Sequence, residues 1–205
     1  MSSIPTVRPG TAALEAADLA RIAVFAALIA VLGLPGAINV GAVPITLQTL
    51  GVMLAGAVLG WWRGAAAVLV LLALVAVGLP LLSGGRGGLG VFAGPSVGYL
   101  IGWVVGAAVV GLLVRWAASR PVWWRVALGA IVGGILVVYA FGIPFQSAIT
   151  GLGIVETAAS SLIFLPGDLV KTVLTVVVTM ALWRAYPRAF AWAAPSRPAS
   201  GAERE

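Results

Sequence analysis

Six runs of apolar residues, separated by short segments containing polar residues, glycine or proline, dominate the chain. The runs extend over residues 19–34, 45–62, 64–79, 95–116, 123–147 and 161–183. Their lengths lie on both sides of the ~20 residues that a helix needs to cross the hydrocarbon core of a bilayer. The pattern predicts an all-α membrane protein, a compact bundle of six transmembrane helices within residues 19–186. A polar segment, 1–18, precedes it, and an Arg/Pro/Ala tail, 187–205, follows it and is expected to be disordered.

Composition excludes the soluble alternatives. Hydrophobic residues make up 61% of the 205 residues, charged residues only 9%, and the mean hydropathy is +1.13. Soluble domains carry about 25% charged residues, so this chain cannot cover a globule with a polar surface. The chain has no Cys and no His, which removes thiolate metal sites and the commonest general base. We therefore expect neither a metal nor a resident cofactor.

Basic residues predict the orientation in the membrane. Ten of the twelve Lys and Arg residues lie in or close to the terminal segments and the connections after the second and fourth runs. The opposite loops hold only Arg86, and Lys171 lies inside the sixth run. Cytoplasmic loops carry such an excess, so both termini are predicted to be cytoplasmic in a multi-pass protein of the cell membrane. The same rule explains the net charge of +6 without nucleic acid as a partner.

The predicted outer loops, 36–43, 81–94 and 148–160, are the expected place for function, because loops carry it more often than the elements they join. Residues 85–90 fit G-x-G-x-x-G. A dinucleotide site would need a strand before this motif and an acidic residue about 20 positions later, and neither is present. We interpret the loop that contains it, residues 81–94, as a flexible glycine loop lying over an outer site.

Residues 94–98 fit G-x-S-x-G, the sequence around a nucleophilic serine. Ser96 has no His to activate it, and only Lys171 could act as the base. An intramembrane serine hydrolase is therefore kept as an alternative, beside the simpler interpretation of a helix N-terminus with Pro95 in its first turn. No G-x-x-x-x-G-K-[ST] motif occurs, so the chain cannot bind ATP through a P-loop.

Asp168 and Lys171 are the strongest functional signal. At a spacing of three they share one face of the sixth helix. Lys171 precedes the interfacial Arg184 by thirteen residues, or ~20 Å of helix, which places it in the outer half of the bilayer. Each buried charge costs ~3 kcal/mol on insertion scales. The pair predicts either a site for a polar ligand or a structural ion pair that closes the bundle. In a ligand site, Lys171 could hold a carboxylate and Asp168 could accept hydrogen bonds from N–H groups.

Polar residues also stand at the outer end of the second helix, where Thr46 suits a helix cap. Gln48 lies one turn deeper and should find a partner or line a cavity. Phe92, Tyr99 and Trp103 could supply the aromatic walls of such a cavity.

Small residues recur at a spacing of four at Ala26/Ala30, Gly56/Gly60, Gly98/Gly102/Gly106 and Gly129/Gly133. This spacing allows close helix contact and mostly indicates internal packing. On the first helix it could instead form a docking face for another membrane protein.

Four blocks together resemble the BioY family of biotin-binding S subunits of energy-coupling factor transporters. They are residues 43–49 (VPITLQT), 78–80 (GLP) with the glycine loop, 94–99 (GPSVGY) and 164–171 (FLPGDLVK). The resemblance runs from about Ala20 to Tyr186. Family members can carry an Asn in the outer loop after the third helix, where this chain reads Ser83-Gly84-Gly85-Arg86.

The resemblance implies a subunit that captures biotin at the outer face and delivers it inward. It would be driven by a transmembrane coupling subunit and two ATPase subunits, which use the ATP. The residues implied for biotin are Asp168, Lys171, Gln48, Tyr99, Thr46, Phe92, Gly85 and Ser83. Those implied for docking are Ala26 and Ala30, with Ala23 and Ala27 as the other register. An S subunit or small transporter for another carboxylate-bearing solute is the remaining alternative.

Overall fold

The computed structural model describes residues 16–34, 38–40, 43–116, 118–190 and 192–193. Within them it has eight α-helices: α1 (Ala16–Val31), α2 (Gln48–Leu59), α3 (Trp61–Ala76), α4 (Val97–Arg115), α5 (Trp123–Gly129), α6 (Val138–Thr150), α7 (Ile154–Ser161) and α8 (Leu165–Ala185). Shorter turns of helix are Leu89–Ala93, Leu162–Phe164 and Pro187–Ala189.

Several of these helices join into longer segments. A π-helical stretch, Ala130–Val137, connects α5 to α6, and a 3₁₀ turn connects α7 to α8. The described residues therefore form six helical segments, as the apolar pattern predicted. Three of them, Val97–Arg115, Trp123–Thr150 and Ile154–Ala185, are long and apolar enough to cross a membrane. The helices α2 and α3 are apolar but shorter.

The structure corrects two predicted loops. The first contains an antiparallel hairpin of β1 (Ile38–Val40) and β2 (Val43–Ile45), so the chain is not purely helical. Residues 36–37 and 41–42 of that loop lie outside the described residues. The third loop is reduced to residues 151–153, because α6 continues to Thr150 and α7 begins at Ile154. Gly151, at φ +74°, ends α6 in the left-handed region that favours glycine.

Glycine allows the central helices to pack closely. Gly60, at φ +84°, is the whole connection between α2 and α3. A Cβ at Gly64 would lie 2.9 Å from the backbone of α2, and one at Gly111 of α4 would overlap the Trp61 backbone. Every residue from 51 to 60 is buried, so α2 is the centre of the bundle. Internal packing is thereby confirmed for the Gly56/Gly60 pair.

The remaining glycine pairs have the same role. On α4, Gly98, Gly102 and Gly106 each face the backbone of the α5–α6 segment, where a Cβ would meet a main-chain atom at about 3 Å or closer. Gly106 and Gly133 face each other across this contact. The close approach holds α4 against α6 and fixes the aromatic side chains that lie beside it.

An ionic cluster and the chain after α8 cover the bundle end where α1 begins. Asp18 pairs with Arg63 at 2.8 Å and with Arg21 at 3.2 Å, and Arg21 donates to the Arg188 carbonyl at 3.2 Å. Phe190 is buried, and the Trp192 indole N–H donates to the Ala57 carbonyl at 3.3 Å. The expectation of a disordered tail is therefore wrong for the part of 187–193 that the structure describes. Residues 191 and 194–205 lie outside it.

The structure also separates the two registers of the first helix. Ala26 is buried in the core, and Ala30 is half-buried against it. Ala23 and Ala27 are exposed, together with Ala20. The preferred register, Ala26/Ala30, is therefore internal packing, because the large side chains Ile22, Phe25 and Ile29 turn that face of α1 inward. The alternative register is the one free to meet another molecule.

Candidate ligand-binding site

A cavity lies at the other end of the bundle, where α2 and α4 begin and α8 enters the core. Its walls come from β2, α2, the glycine loop, α4, the π-helical stretch, α6, the 3₁₀ turn before α8, and α8. The lining residues are Val43, Pro44, Ile45, Thr46, Gln48, Thr49, Leu82, Arg86, Ser96, Tyr99, Leu100, Trp103, Gly134, Val138, Tyr139, Phe164, Asp168 and Lys171.

Asp168 and Lys171 form a buried ion pair in the wall of this cavity. The Lys171 Nζ lies 3.0 Å from Asp168 Oδ1 and donates to Thr49 Oγ1 at 2.8 Å. The Tyr139 hydroxyl donates to Asp168 Oδ2 at 2.7 Å. Each carboxylate oxygen thus accepts a hydrogen bond, and the ammonium group keeps one N–H for a further acceptor. Since the charges neutralise each other, the pair presents a donor and an acceptor but little net charge.

Gln48 connects three elements beneath the cavity. Its Nε2 donates to the Ile29 carbonyl of α1 at 3.3 Å and to the Leu81 carbonyl at 3.1 Å. Its Oε1 accepts the Ser83 N–H at 3.1 Å. Both amide hydrogens are therefore used within the protein, and only lone-pair capacity on Oε1 remains for a ligand. Gln48 therefore mainly holds the glycine loop against α1 and α2 through these hydrogen bonds.

Arg86 carries the other cation of the cavity. Its Nε donates to the Ser83 carbonyl at 3.2 Å, and its Nη1 approaches Ser96 Oγ at 3.4 Å. A single bridge between Leu82 and Arg86 and the left-handed glycines 84 and 85 turn the loop back on itself. No carboxylate among the described residues pairs with Arg86, and burial lowers the pKa of its guanidinium. This partly desolvated charge lies open to an anion.

Aromatic rings form the apolar side of the cavity. The Tyr99 ring packs edge to face against Tyr139, with centroids 6.4 Å apart, and against Phe164 at 6.5 Å. Trp103 lies one turn further along α4 and is 6% exposed. Such rings suit an apolar ligand body between polar ends.

The sequence prediction and the cavity overlap in part. Asp168, Lys171, Gln48, Tyr99 and Thr46 all line it. The remaining three predicted residues are placed around it: Ser83 is buried behind the wall, Phe92 is half-buried beside the core, and Gly85 is exposed. Missed from the prediction were chiefly Arg86, Thr49, Tyr139 and Phe164. A lone Arg in an outer glycine loop, and a Thr beside a predicted Gln, were signals that could have found two of these.

Ser96 lacks the partner that hydrolysis would require. Its hydroxyl meets Arg86, whereas the Lys171 ammonium is bonded to Asp168 and Thr49. A serine nucleophile needs a base within hydrogen-bond reach. The described residues therefore do not form the Ser–Lys arrangement.

The cavity is tight, with a volume of about 60 Å³. A water molecule needs ~10–15 Å³ on this scale, so there is room for roughly four to six. The strand β2 and the glycine loop contribute Val43, Pro44, Ile45, Leu82 and Arg86 to its wall.

Comparison with known proteins decides the family. The model of the BioY family matches residues 6–188. The chain belongs to the BioY family. The resemblance drawn from the four sequence blocks is thereby confirmed, and BioY membership extends over a longer stretch than those blocks.

Two BioY relatives are close in sequence. The "Biotin transporter BioY" of Rhodobacter capsulatus is 50% identical over 182 residues, which cover 84% of this chain and 96% of the relative. The "Biotin transporter BioY" of Rhizobium etli is 48% identical over 177 residues, covering 83% and 95%. Both names describe transporters, in agreement with the prediction of a transport protein rather than an enzyme.

A solved structure shares the BioY fold. It is the crystal structure of the S-component for biotin from an ECF-type ABC transporter, at a TM-score of 0.80 and 32% identity. The match covers 88% of this chain and 99% of the solved one. The helical architecture is therefore that of an S-component.

Gln48→Met should loosen the glycine loop. The change leaves the Ser83 N–H and the Ile29 and Leu81 carbonyls without their partner, at about 1–3 kcal/mol for each group that stays buried. Hydrogen exchange of purified protein in detergent should become faster at residues 81–88.

Gln146→Met is the matched control, since it also removes a buried amide but does not touch the loop. It should leave exchange at 81–88 unchanged, even if both variants melt earlier. Equal exchange in the wild type and in Gln48→Met would show that the loop is held by other contacts.

Proposed function

We propose that this protein is the membrane-embedded biotin-binding subunit of an energy-coupling factor transporter. The observation that carries the proposal is a cavity that is lined by a neutralised Asp168–Lys171 pair, by Arg86 without a carboxylate partner among the described residues, and by aromatic rings. Biotin has matching parts: a ureido group, an apolar two-ring body and a carboxylate. The relatives named as biotin transporters support this choice over another small acid.

The charges in the cavity indicate which residues would bind each end of biotin. The ureido group both donates and accepts hydrogen bonds, and it suits the Asp168 carboxylate and the remaining Lys171 N–H. The carboxylate is an anion and suits Arg86, because Lys171 is already neutralised at 3.0 Å by Asp168. This assignment differs from the expectation that Lys171 holds the carboxylate.

The arrangement in the membrane follows from the two ends of the bundle. Arg21, Arg63 and Arg188 meet at the end opposite the cavity. We propose six spanning segments with that end and both termini in the cytoplasm of the cell membrane, so that the cavity faces outward. The proposed protein partners are a transmembrane coupling subunit and two cytoplasmic ATPase subunits, which supply the ATP-driven step. Ala23 and Ala27, on the exposed face of α1, would dock the coupling subunit.

Arg86→Gln should weaken biotin binding by ~10–150-fold, the ~1.5–3 kcal/mol of a charge-assisted hydrogen bond. Biotin amide has no carboxylate, so its affinity should change little in the same variant. Calorimetry with purified protein measures both ligands.

Lys171→Met with Asp168→Asn is the comparison, because the double change leaves no orphan charge. It should weaken biotin and biotin amide alike through the ureido end. If this double variant, and not Arg86→Gln, abolishes the preference for the acid, the carboxylate binds at Lys171. If wild-type protein binds neither ligand, the proposed function is wrong.

Cysteine labelling tests the orientation in a chain that has no native Cys. Gly90 is exposed in the glycine loop, with nothing within 4 Å of an added Cβ, and Ser119 is exposed in the connection between α4 and α5. In intact cells, Gly90→Cys should react with an impermeant maleimide and Ser119→Cys should not. The reverse pattern would place the cavity on the cytoplasmic side.

Ala23→Trp or Ala27→Trp should abolish biotin uptake in cells that express the coupling module. A bulky side chain keeps the partner helix away, whereas the cavity is untouched, so purified protein should bind biotin normally. Ala140→Trp places the same residue on the exposed face of α6 and should leave uptake intact. Normal uptake in both α1 variants would move the docking surface elsewhere.

A further inference from the structure

Tyr99 stands between the cavity and a set of residues that the ligand cannot reach. One side of its ring lines the cavity, and the side chain is 6% exposed. Its other side lies against α6. The position of this ring therefore depends on what α6 and α7 present to it.

Gly142 of α6 gives the ring its space. A Cβ at position 142 would overlap the ring atoms Cδ1 and Cε1 of Tyr99. Gly142 is buried and does not line the cavity. Any side chain there must push the ring, and the open direction for the ring is into the cavity.

The Tyr99 hydroxyl is fixed by two further residues behind the wall. It donates to Gln146 Oε1 at 2.8 Å and lies 3.2 Å from Ser161 Oγ. Since Tyr99 has one hydroxyl hydrogen, the Ser161 hydroxyl either donates to Tyr99 or keeps its 2.8 Å bond to the Thr157 carbonyl. Gln146 is 5% exposed and Ser161 1%, so water does not compete for these bonds.

The ring in turn supports the polar part of the site. Its edge-to-face contact with Tyr139 braces the residue whose hydroxyl donates to Asp168 at 2.7 Å. A shift of Tyr99 thus reaches both the apolar wall and the ion pair.

We propose that Gly142, Gln146 and Ser161 are positioning residues that form a seat for Tyr99, and that the seat sets how wide a ligand body the cavity accepts. Gly142 sets the depth of the ring, and Gln146 and Ser161 hold its hydroxyl end. The inference rests on biotin as the ligand and places the two-ring body against Tyr99. Desthiobiotin keeps the ureido ring and the carboxylate but lacks the second ring. A comparison of its affinity with that of biotin therefore tests the space that the cavity offers to the second ring.

Gly142→Ala is the first test. Calorimetry should show at least a tenfold loss of affinity for biotin and less than a threefold loss for desthiobiotin, because the displaced ring takes the space of the second ring. Gly153→Ala, at a glycine with nothing within 4 Å of an added Cβ, should leave both affinities unchanged. Equal losses for the two ligands in Gly142→Ala would overturn the inference.

A double-mutant cycle is the second test and decides the matter if Gly142→Ala does not fold. Gln146→Met should lower biotin affinity several-fold when Tyr99 is present. In the Tyr99→Phe background it should have no further effect, since the hydroxyl that it anchors is gone. An equal effect in both backgrounds would show that Gln146 acts only on general stability. If wild-type protein fails to bind biotin, the proposed function is wrong. If wild-type protein and all seat variants bind biotin normally, only the proposal that the seat controls the cavity is wrong.

Discussion

One constraint governs the molecule: a charge buried among apolar helices must find its partners within the protein, because water cannot supply them. Asp168 and Lys171 meet this constraint through each other and through the hydroxyls of Tyr139 and Thr49. Those hydroxyls belong to α6 and α2, so the ion pair fixes where three helices meet. The proposed ligand site depends on that fixed point, since each ion keeps further hydrogen-bonding capacity.

Close packing at the rest of the bundle makes the cavity possible. Backbone contacts at Gly64, Gly111 and Gly106 bring α2, α3, α4 and α5–α6 together without side chains between them. The larger groups Tyr99, Trp103 and Tyr139 stand beside the close contacts between α4 and the α5–α6 segment, and they line the cavity. The glycine contacts therefore fix the positions of the rings that form its apolar wall.

The sequence predicted those parts of the site that break the apolar pattern. Asp168, Lys171 and Gln48 are conspicuous because an ionised or amide side chain in an apolar run must find a hydrogen-bonding or ionic partner. Tyr139 could not be found in this way, since an aromatic residue inside a run looks like core. Arg86 turns inward only because left-handed glycines fold its loop back, and a loop sequence alone does not show this direction.

The helix pattern was right in number and wrong at several ends. The length of the third outer loop was overestimated, because most of its residues are polar enough for a loop but belong to the end of α6 and to α7. On α1, alanines in either register have the same spacing, and only the larger neighbours Ile22 and Ile29 show which face turns inward.

The hydrogen bond from Gln48 to the Ile29 carbonyl of α1 has a mechanical consequence. Because Gln48 holds the Ile29 carbonyl and the Ser83 N–H with a single amide, α1 cannot slide along α2 without stretching one of the two bonds. The helix α1, whose exposed face is the proposed docking surface, and the glycine loop over the cavity are thus mechanically coupled through the side-chain amide of Gln48.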